Sequence, residues 1–481
     1  MHPPVPPPPQ PRRRALWRGT LRRTNHDTND STPRETTGDE PRDMHDRMPR
    51  ETTGDAPRGT TRGASRDTPR DRTRGRTLRA TALISLLALS GVIIVGMVRQ
   101  ETGTEGLLVG LGLAVFPVPL LLAAFRWLDR IEPEPRRNLA FAFAWGACAA
   151  ALVALLTNGF ATDWIAANIA SASPSEAETW GATAIAPVVE ETVKAAAVLL
   201  LYRFRRRDFD GITDGIVIAG ITATGFAFTE NIVYLGNAFG EDRSMGHSGL
   251  DSLTVGTFFV RIIISPFAHP LFTILTGLAF GIAATRYPRR RAARIGLAAL
   301  GLLTAVLLHA IWNAASSLGG AGFLLVYGLF MVPVFLALTS LAVWARKQEL
   351  LSLPGYLAPY ITAGWLTPAE PDALSSLKTR ALARDIARRT QGPAAARAVT
   401  AYTTAATALS FHRRRAHLRG PDPDFTAREQ YLLQRVRHYQ RWGRPALISA
   451  WHSTGRNCLV TNDGRSAAAR RCTGDSGHPR A

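Results

Sequence analysis

Lysine is nearly missing from this 481-residue chain: Lys194, Lys347 and Lys378 stand against 54 arginines. A lysine inside an apolar run is therefore a placement that needs a reason. Cysteine is as scarce, with Cys148, Cys458 and Cys472 and no C-x-x-C pair, which excludes a disulfide framework and a cysteine metal site. The apolar centre holds no H-E-x-x-H and no G-x-S-x-G, so the zincin and serine-hydrolase motifs are excluded there. Residues 1–80 have almost no aliphatic side chains and are far too long and polar for a signal peptide.

The composition divides the chain into three. Residues 1–80 are rich in Pro, Arg, Thr, Asp and Gly, and repeat P-R-E-T-T-G-D-E-P-R (33–42) as P-R-E-T-T-G-D-A-P-R (49–58). Such a segment cannot bury enough apolar area to offset chain entropy and is read as a disordered basic tail. The overall charge of +20 is carried by the flanks, +7 in 1–80 and +13 in 345–481, and the segment 81–344 is neutral. Basic tails beside a membrane domain meet anionic lipid rather than nucleic acid, so the bilayer and not a polynucleotide is the expected partner. In 375–440, Leu, Ala and Tyr recur at helical spacing, which predicts one or two cytoplasmic helices, with the last 40 residues loose.

Between the tails the text changes to apolar runs long enough to cross a bilayer. Eight are read, at about 81–98, 106–125, 138–159, 181–202, 212–238, 255–284, 295–315 and 322–344. The expected fold class is thus all-α, a polytopic bundle of about eight transmembrane helices in the cell membrane. The loops 126–137, 203–210 and 285–294 contain thirteen arginines, whereas 99–105, 160–180, 239–252 and 316–321 contain two. By the positive-inside rule both termini are cytoplasmic. The loop R-W-L-D-R-I-E-P-E-P-R-R (126–137) reads as an extended, rigid turn, because residues before proline avoid helix. Gly211/Gly215 and Gly277/Gly281, four apart, read as close helix packing.

Charge inside these runs is the informative feature. Glu190, Glu191 and Lys194 lie in P-V-V-E-E-T-V-K, and Glu230 and Asn231 in F-A-F-T-E-N. His269 sits between Pro266 and Pro270, eight residues after Arg261, and His309 and Asn313 share a face in H-A-I-W-N. A charge at mid-membrane costs at least about 2.5–3.5 kcal/mol, so these groups are expected to face one another or a wet cavity. At 1.5 Å per residue, Glu190 lies about 14 Å, Glu230 about 12 Å, His309 about 9 Å and His269 about 20 Å below the outer ends of their helices. Four helices then bring polar groups to similar depth. Lys194 can meet Glu190 or Glu191 along its helix, since residues three and four apart are neighbours.

Amide hydrolysis needs a base for water, donors for the oxyanion and an acid for the leaving amine. A glutamate in a low-dielectric cavity suits the base, and His309 with Asn313 the oxyanion. Alternatively, His269, His309 and Glu230 could hold Zn²⁺ with an open position. The catalytic candidates are Glu190, Glu191, Glu230, His269, His309 and Asn313, with Lys194, Arg261 and Asn231 supporting them. A proton-coupled transporter, whose relays use the same residue types, and a non-catalytic scaffold are the competing classes. No inverted repeat or matched pair of broken helices favours the transporter.

Over about residues 106–345 the motifs D-R-I-E-P-E-P, E-E-T-V-K, F-A-F-T-E-N, the proline-flanked His269 and H-A-I-W-N resemble the PrsW family of intramembrane proteases. That family is distantly similar to the CAAX prenyl endopeptidase and bacteriocin-immunity group. The resemblance implies that Glu190 and Glu191 are the paired glutamates, one of them activating water, and that His309 and Asn313 are the H-x-x-x-N pair. The chain departs from the wider group at Glu230, where that group has histidine. The resemblance further implies metal dependence and a membrane-anchored substrate, an anti-sigma factor cut on its extracytoplasmic side.

Overall fold

A computed structural model describes residues 69–168, 174–206, 208–209 and 211–454. The repeats at 33–42 and 49–58, residues 1–68 of the tail read as disordered over 1–80, and Cys458 and Cys472 lie outside the described residues, whereas residues 69–80 of that tail are helical and begin α1. Among the described residues the chain is helical throughout and contains no strand. The helices are α1 (Pro69–Ala114), α2 (Val118–Leu128), α3 (Arg136–Ala144), α4 (Ala151–Asn168), α5 (Pro174–Trp180), α6 (Ala186–Phe204), α7 (Ile212–Met245), α8 (Leu253–Phe258), α9 (Ala268–Arg286), α10 (Arg291–Ala315), α11 (Gly319–Val326) and α12 (Val332–Thr362). After them come α13 (Glu370–Leu374), α14 (Leu377–Arg419) and α15 (Phe425–Ser453).

Five stretches are long and apolar enough to cross a membrane: Ala80–Leu128, Arg136–Ile165, Ile212–Met245, Leu253–Arg286 and Arg291–Thr362. The expected eight are therefore not separately resolved by length and composition. Two of the five are interrupted at glycines with positive φ, Gly103 (φ 76°) and Gly319 (φ 70°), conformations that residues with a Cβ seldom adopt. α6 is absent from the five, and it is the helix that carries Glu190, Glu191 and Lys194.

α7 is the central pillar. From Thr213 to Ala227 every residue of it is buried, and α2, α3, α6, α8, α9 and α12 all pack on it. Its small residues make that possible. A Cβ on Gly215 would lie 2.1 Å from the Gly277 carbonyl oxygen of α9, and one on Gly225 2.1 Å from that of Phe143 in α3. The Gly211/Gly215 and Gly277/Gly281 pairs thus do what their spacing predicts, bringing two backbones into contact. Gly215→Val should force α7 and α9 apart and destabilise the protein by about 1–3 kcal/mol or more, read as a lowered thermal midpoint in detergent. A midpoint equal to wild type would show that this contact is not tight.

The helix is broken just before His269. A π-helical segment, Phe259–Ile264, ends at Ser265, and α9 begins at Ala268, so His269 is the second residue of a helix that starts inside the apolar stretch. Pro270 falls in that first turn, where its missing N–H leaves no bond unmade. At the other end of the chain α12 runs without interruption from Val332 to Thr362, across the expected tail boundary at 344/345. The C-terminal segment is a packed bundle in which Leu357, Leu374, Tyr402, Leu409, Leu432 and Leu447 share one core. A buried Arg413–Glu429 pair at 2.7 Å ties α14 to α15. Helix α15 persists to Ser453, further than the loose end read from the sequence.

Candidate active site

The charged residues of α6, α7, α9 and α10 converge on one buried cluster. Lys194 is its hub, fully buried, with Nζ 2.9 Å from Glu191 Oε1, 3.3 Å from Glu190 Oε2 and 3.2 Å from His269 Nδ1. The ammonium also lies 3.9 Å from the Phe226 ring centroid. A hydrated cation would not fit so dry a place, and two carboxylates with an aromatic face replace its water.

The adjacent glutamates are treated differently, as helical geometry requires of neighbours about 100° apart. Glu191 is fully buried and held from three sides. Lys194 and His309 Nδ1 (3.1 Å) meet its Oε1, and Thr273 Oγ1 donates to its Oε2 at 2.8 Å. Glu190 is held loosely. Apart from Lys194 it has, among the described residues, only Asn158 Nδ2 at 3.4 Å from Oε1 and His309 Nε2 at 3.8 Å from Oε2.

Glu230, on α7, lies at the margin with its side chain 19% exposed. Its Oε2 is 2.6 Å from the Arg261 guanidinium and 2.5 Å from His269 Nε2. Arg261 in turn donates from Nε to Asn231 Oδ1 at 2.7 Å and stacks on Tyr234, 4.0 Å from the ring centroid. Arg261 and His269 meet at Glu230 although the helix between them is broken. The two histidine rings stand edge to face, 5.1 Å apart, and His309 stacks on Phe272 at 4.7 Å.

Asn313 is placed elsewhere. Its Nδ2 donates to the Ala182 carbonyl oxygen at 2.8 Å, tying α10 to the π-helical turn Gly181–Ile185 ahead of α6. One helical turn beyond His309, it is committed to backbone. Three contributors escaped the sequence reading: Asn158, Thr273 and Phe272. Thr273 had a signal, being four residues after His269 on the same face. Asn158 had another, as a polar amide in the apolar run of α4. Phe272 had none, because an aromatic in a membrane helix is ordinary.

Residues 134–338 match the profile described as PrsW family intramembrane metalloprotease. Among curated proteins, Protease PrsW of Clostridioides difficile (strain 630) is 27% identical over 201 residues, 42% of this chain and 76% of that protein. The segment that carries the cluster is thus similar to PrsW-family proteases. No solved structure matches it.

A metal is implied by that description, and the residues fit one. Glu190, His269 and His309 each carry an atom able to ligate, all within 4.8 Å of one another and all three buried; His269, with Nδ1 on Lys194 and Nε2 on Glu230, would release one of these partners to bind a metal. This two-imidazole, one-carboxylate set leaves a position open, as catalytic zinc sites do. Glu191 on His309 Nδ1 leaves Nε2 for a ligand bond, the outer carboxylate that metal-binding histidines usually have. The set differs from that read from the sequence in one member, Glu190 taking the place of Glu230, which Arg261 and His269 hold. Three carboxylates beside two permanent cations also leave the cluster one positive charge short.

Proposed function

We propose that this chain is a membrane protease of PrsW type that hydrolyses a peptide bond in a single-pass membrane protein, with Glu190 at the reacting water. The contrast between the two glutamates carries the assignment. Glu191 is fastened to Lys194, His309 and Thr273, whereas Glu190 keeps Oε2 at 3.3 Å or more from every group near it. Glu190 acts as the base for water or, with a metal bound, as a ligand beside it. Residues Glu190, His269 and His309 would hold that metal, which supplies the Lewis acidity that makes water nucleophilic near neutral pH.

The other side chains orient and balance. Glu191 fixes the His309 ring, so that Nε2 faces Glu190. Lys194 supplies the charge that lets two carboxylates share a dry site. Arg261 and Asn231 hold Glu230 against His269 at the partly exposed margin, the side from which a peptide and water reach the cluster. The breaks at Gly103 and Gly319, together with α6 as a further span, support eight crossings. The arginine-rich loops support cytoplasmic termini. That orientation puts the cluster in the outer half of the bilayer and favours an anti-sigma factor cut on its extracytoplasmic side.

Co-expression with a tagged single-pass anti-sigma factor from the same genome tests this reading. Wild type should release a shortened fragment, and His309→Ala should not. Identical fragments from both would overturn it. Asn313→Ala removes one bond to backbone, a net loss of about 0.5–1.5 kcal/mol. It should slow cleavage about tenfold at most, against about 10²–10⁴-fold for a lost catalytic group. An Asn313→Ala rate as low as that of His309→Ala would restore the oxyanion role. Chelation followed by zinc add-back separates the two roles of Glu190, since unchanged turnover leaves it as the base.

A further inference from the structure

A second cluster lies at the cytoplasmic ends of the helices, where the membrane helices meet the C-terminal bundle. The end of α2, the turn after it, the start of α7 and the middle of α12 surround a hollow with room for one water-sized occupant, about 10 Å³. Four carboxylates line it, Asp129, Glu132, Asp214 and Glu349, together with the Thr213 hydroxyl. Leu128, Ile131 and Phe411 complete the wall. These acids are the unexplained part of the E-P-E-P loop and its neighbours.

An acidic cluster alone can be a solvated surface, but the groups at the centre of this one are buried. Asp129 is 5% exposed and Thr213 4%. Asp129 Oδ2 accepts the Glu134 backbone N–H at 2.9 Å, while its Oδ1 is buried and meets no donor among the described residues. Thr213 Oγ1 is likewise buried without a partner. Two orphaned oxygens at one hollow are a costly arrangement, about 1–3 kcal/mol for each unsatisfied group. The neighbouring acids are held at their backs: Asp214 Oδ2 accepts the Gly211 N–H at 2.6 Å, Glu349 Oε1 the Thr213 N–H at 3.2 Å, and Glu132 pairs with Arg415 at 3.2 Å. Burial, with Glu349 adding to it, raises the Asp129 carboxyl to about 7.

We propose that this hollow binds one hard divalent cation, Mg²⁺ or Ca²⁺, through Asp129 Oδ1, Thr213 Oγ1 and the carboxylates of Asp214 and Glu349. The lining offers oxygen and no imidazole or thiolate, the donor set of those two ions rather than of zinc. The ion would join α2, α7 and α12 on the side where Phe411 of α14 packs. α7 is also the helix that carries Glu230, so the site sits at the far end of the pillar from the active-site cluster.

The test uses the full chain in lipid nanodiscs, stripped with chelator and titrated calorimetrically with MgCl₂ and with CaCl₂. Wild type should take up about one equivalent of one of them saturably. Asp129→Asn should weaken that binding about tenfold or more, and Glu190→Gln should leave it unchanged. Thr213→Val, which keeps shape and loses the hydroxyl, gives the same direction should Asp129→Asn fail to fold. Absence of saturable binding to wild type overturns the proposal. So does equal affinity in Asp129→Asn, and so does binding lost in Glu190→Gln but kept in Asp129→Asn, which would put the ion in the membrane cluster.

Discussion

Glu190→Gln should abolish cleavage while the protein stays folded, and Glu191→Gln should do damage of a different kind. The two residues are neighbours in sequence and both are buried, so composition alone treats them alike. Their surroundings do not. Glutamine at 190 keeps the volume and can still accept from Asn158, and the contacts that it weakens are 3.3 Å and longer. Activity should fall by about 10²–10⁴-fold, the contribution of a positioned general base, with the thermal midpoint within a few degrees of wild type. Glutamine at 191 puts an amide where an ammonium, an imidazole and a hydroxyl converge within 3.1 Å. Its oxygen can stay on Lys194 and His309 while its NH₂ donates to the Thr273 hydroxyl, but the charge that balances the buried ammonium is gone. There the midpoint should drop along with activity. Purified variants compared by cleavage rate and thermal unfolding decide the matter. A Glu190→Gln enzyme with more than about a tenth of wild-type activity, or a Glu191→Gln enzyme as stable as wild type, would reverse the assignment of the pair.

How much of this was legible in the sequence follows from the type of force involved. The convergence of Glu190, Glu191, Lys194, Glu230, His269 and His309 was readable, because a charge in hydrocarbon is expensive enough to demand partners and helical rise fixes its depth. The close α7–α9 contact was readable for a similar reason: Gly215 and Gly277 leave no side chain to hold backbones apart. Which glutamate does what was not readable. That depends on helix rotation within a few tens of degrees, and Thr273, Asn158 and the Phe226 ring set it through contacts between distant segments. Asn313 misled because its spacing from His309 is equally good for catalysis and for bonding Ala182. The five apolar stretches do not separate into the eight expected spans, in part because α12 runs on into the C-terminal bundle with no change of helix. Packing of that bundle around Tyr360, Tyr402 and Leu447 was hidden by its arginine content, which raises polarity without preventing a core.

Lys194→Met should be the most destabilising single change in the membrane domain. Methionine fills nearly the same space against Phe226 but removes the lysine ammonium that lies within 4 Å of both members of the pair. Glu190 and Glu191, 6% and 0% exposed, would then face each other and two imidazoles with no charge to balance them. Breaking a buried ion pair from one side costs about 3–5 kcal/mol, because the surviving charge keeps its desolvation penalty and loses its partner. Glu230 should be affected less, since Arg261 holds it at 2.6 Å. The corresponding double replacement, Lys194→Met with Glu191→Gln, removes a charge of each sign and should recover part of the loss, a coupling of about 0.5–3 kcal/mol between residues in contact. Denaturant or thermal unfolding of the four proteins in one detergent measures it. Additive effects, or a Lys194→Met midpoint equal to wild type, would mean that the ammonium does not hold the carboxylates together, and the account of the cluster given by its distances would fail at its centre.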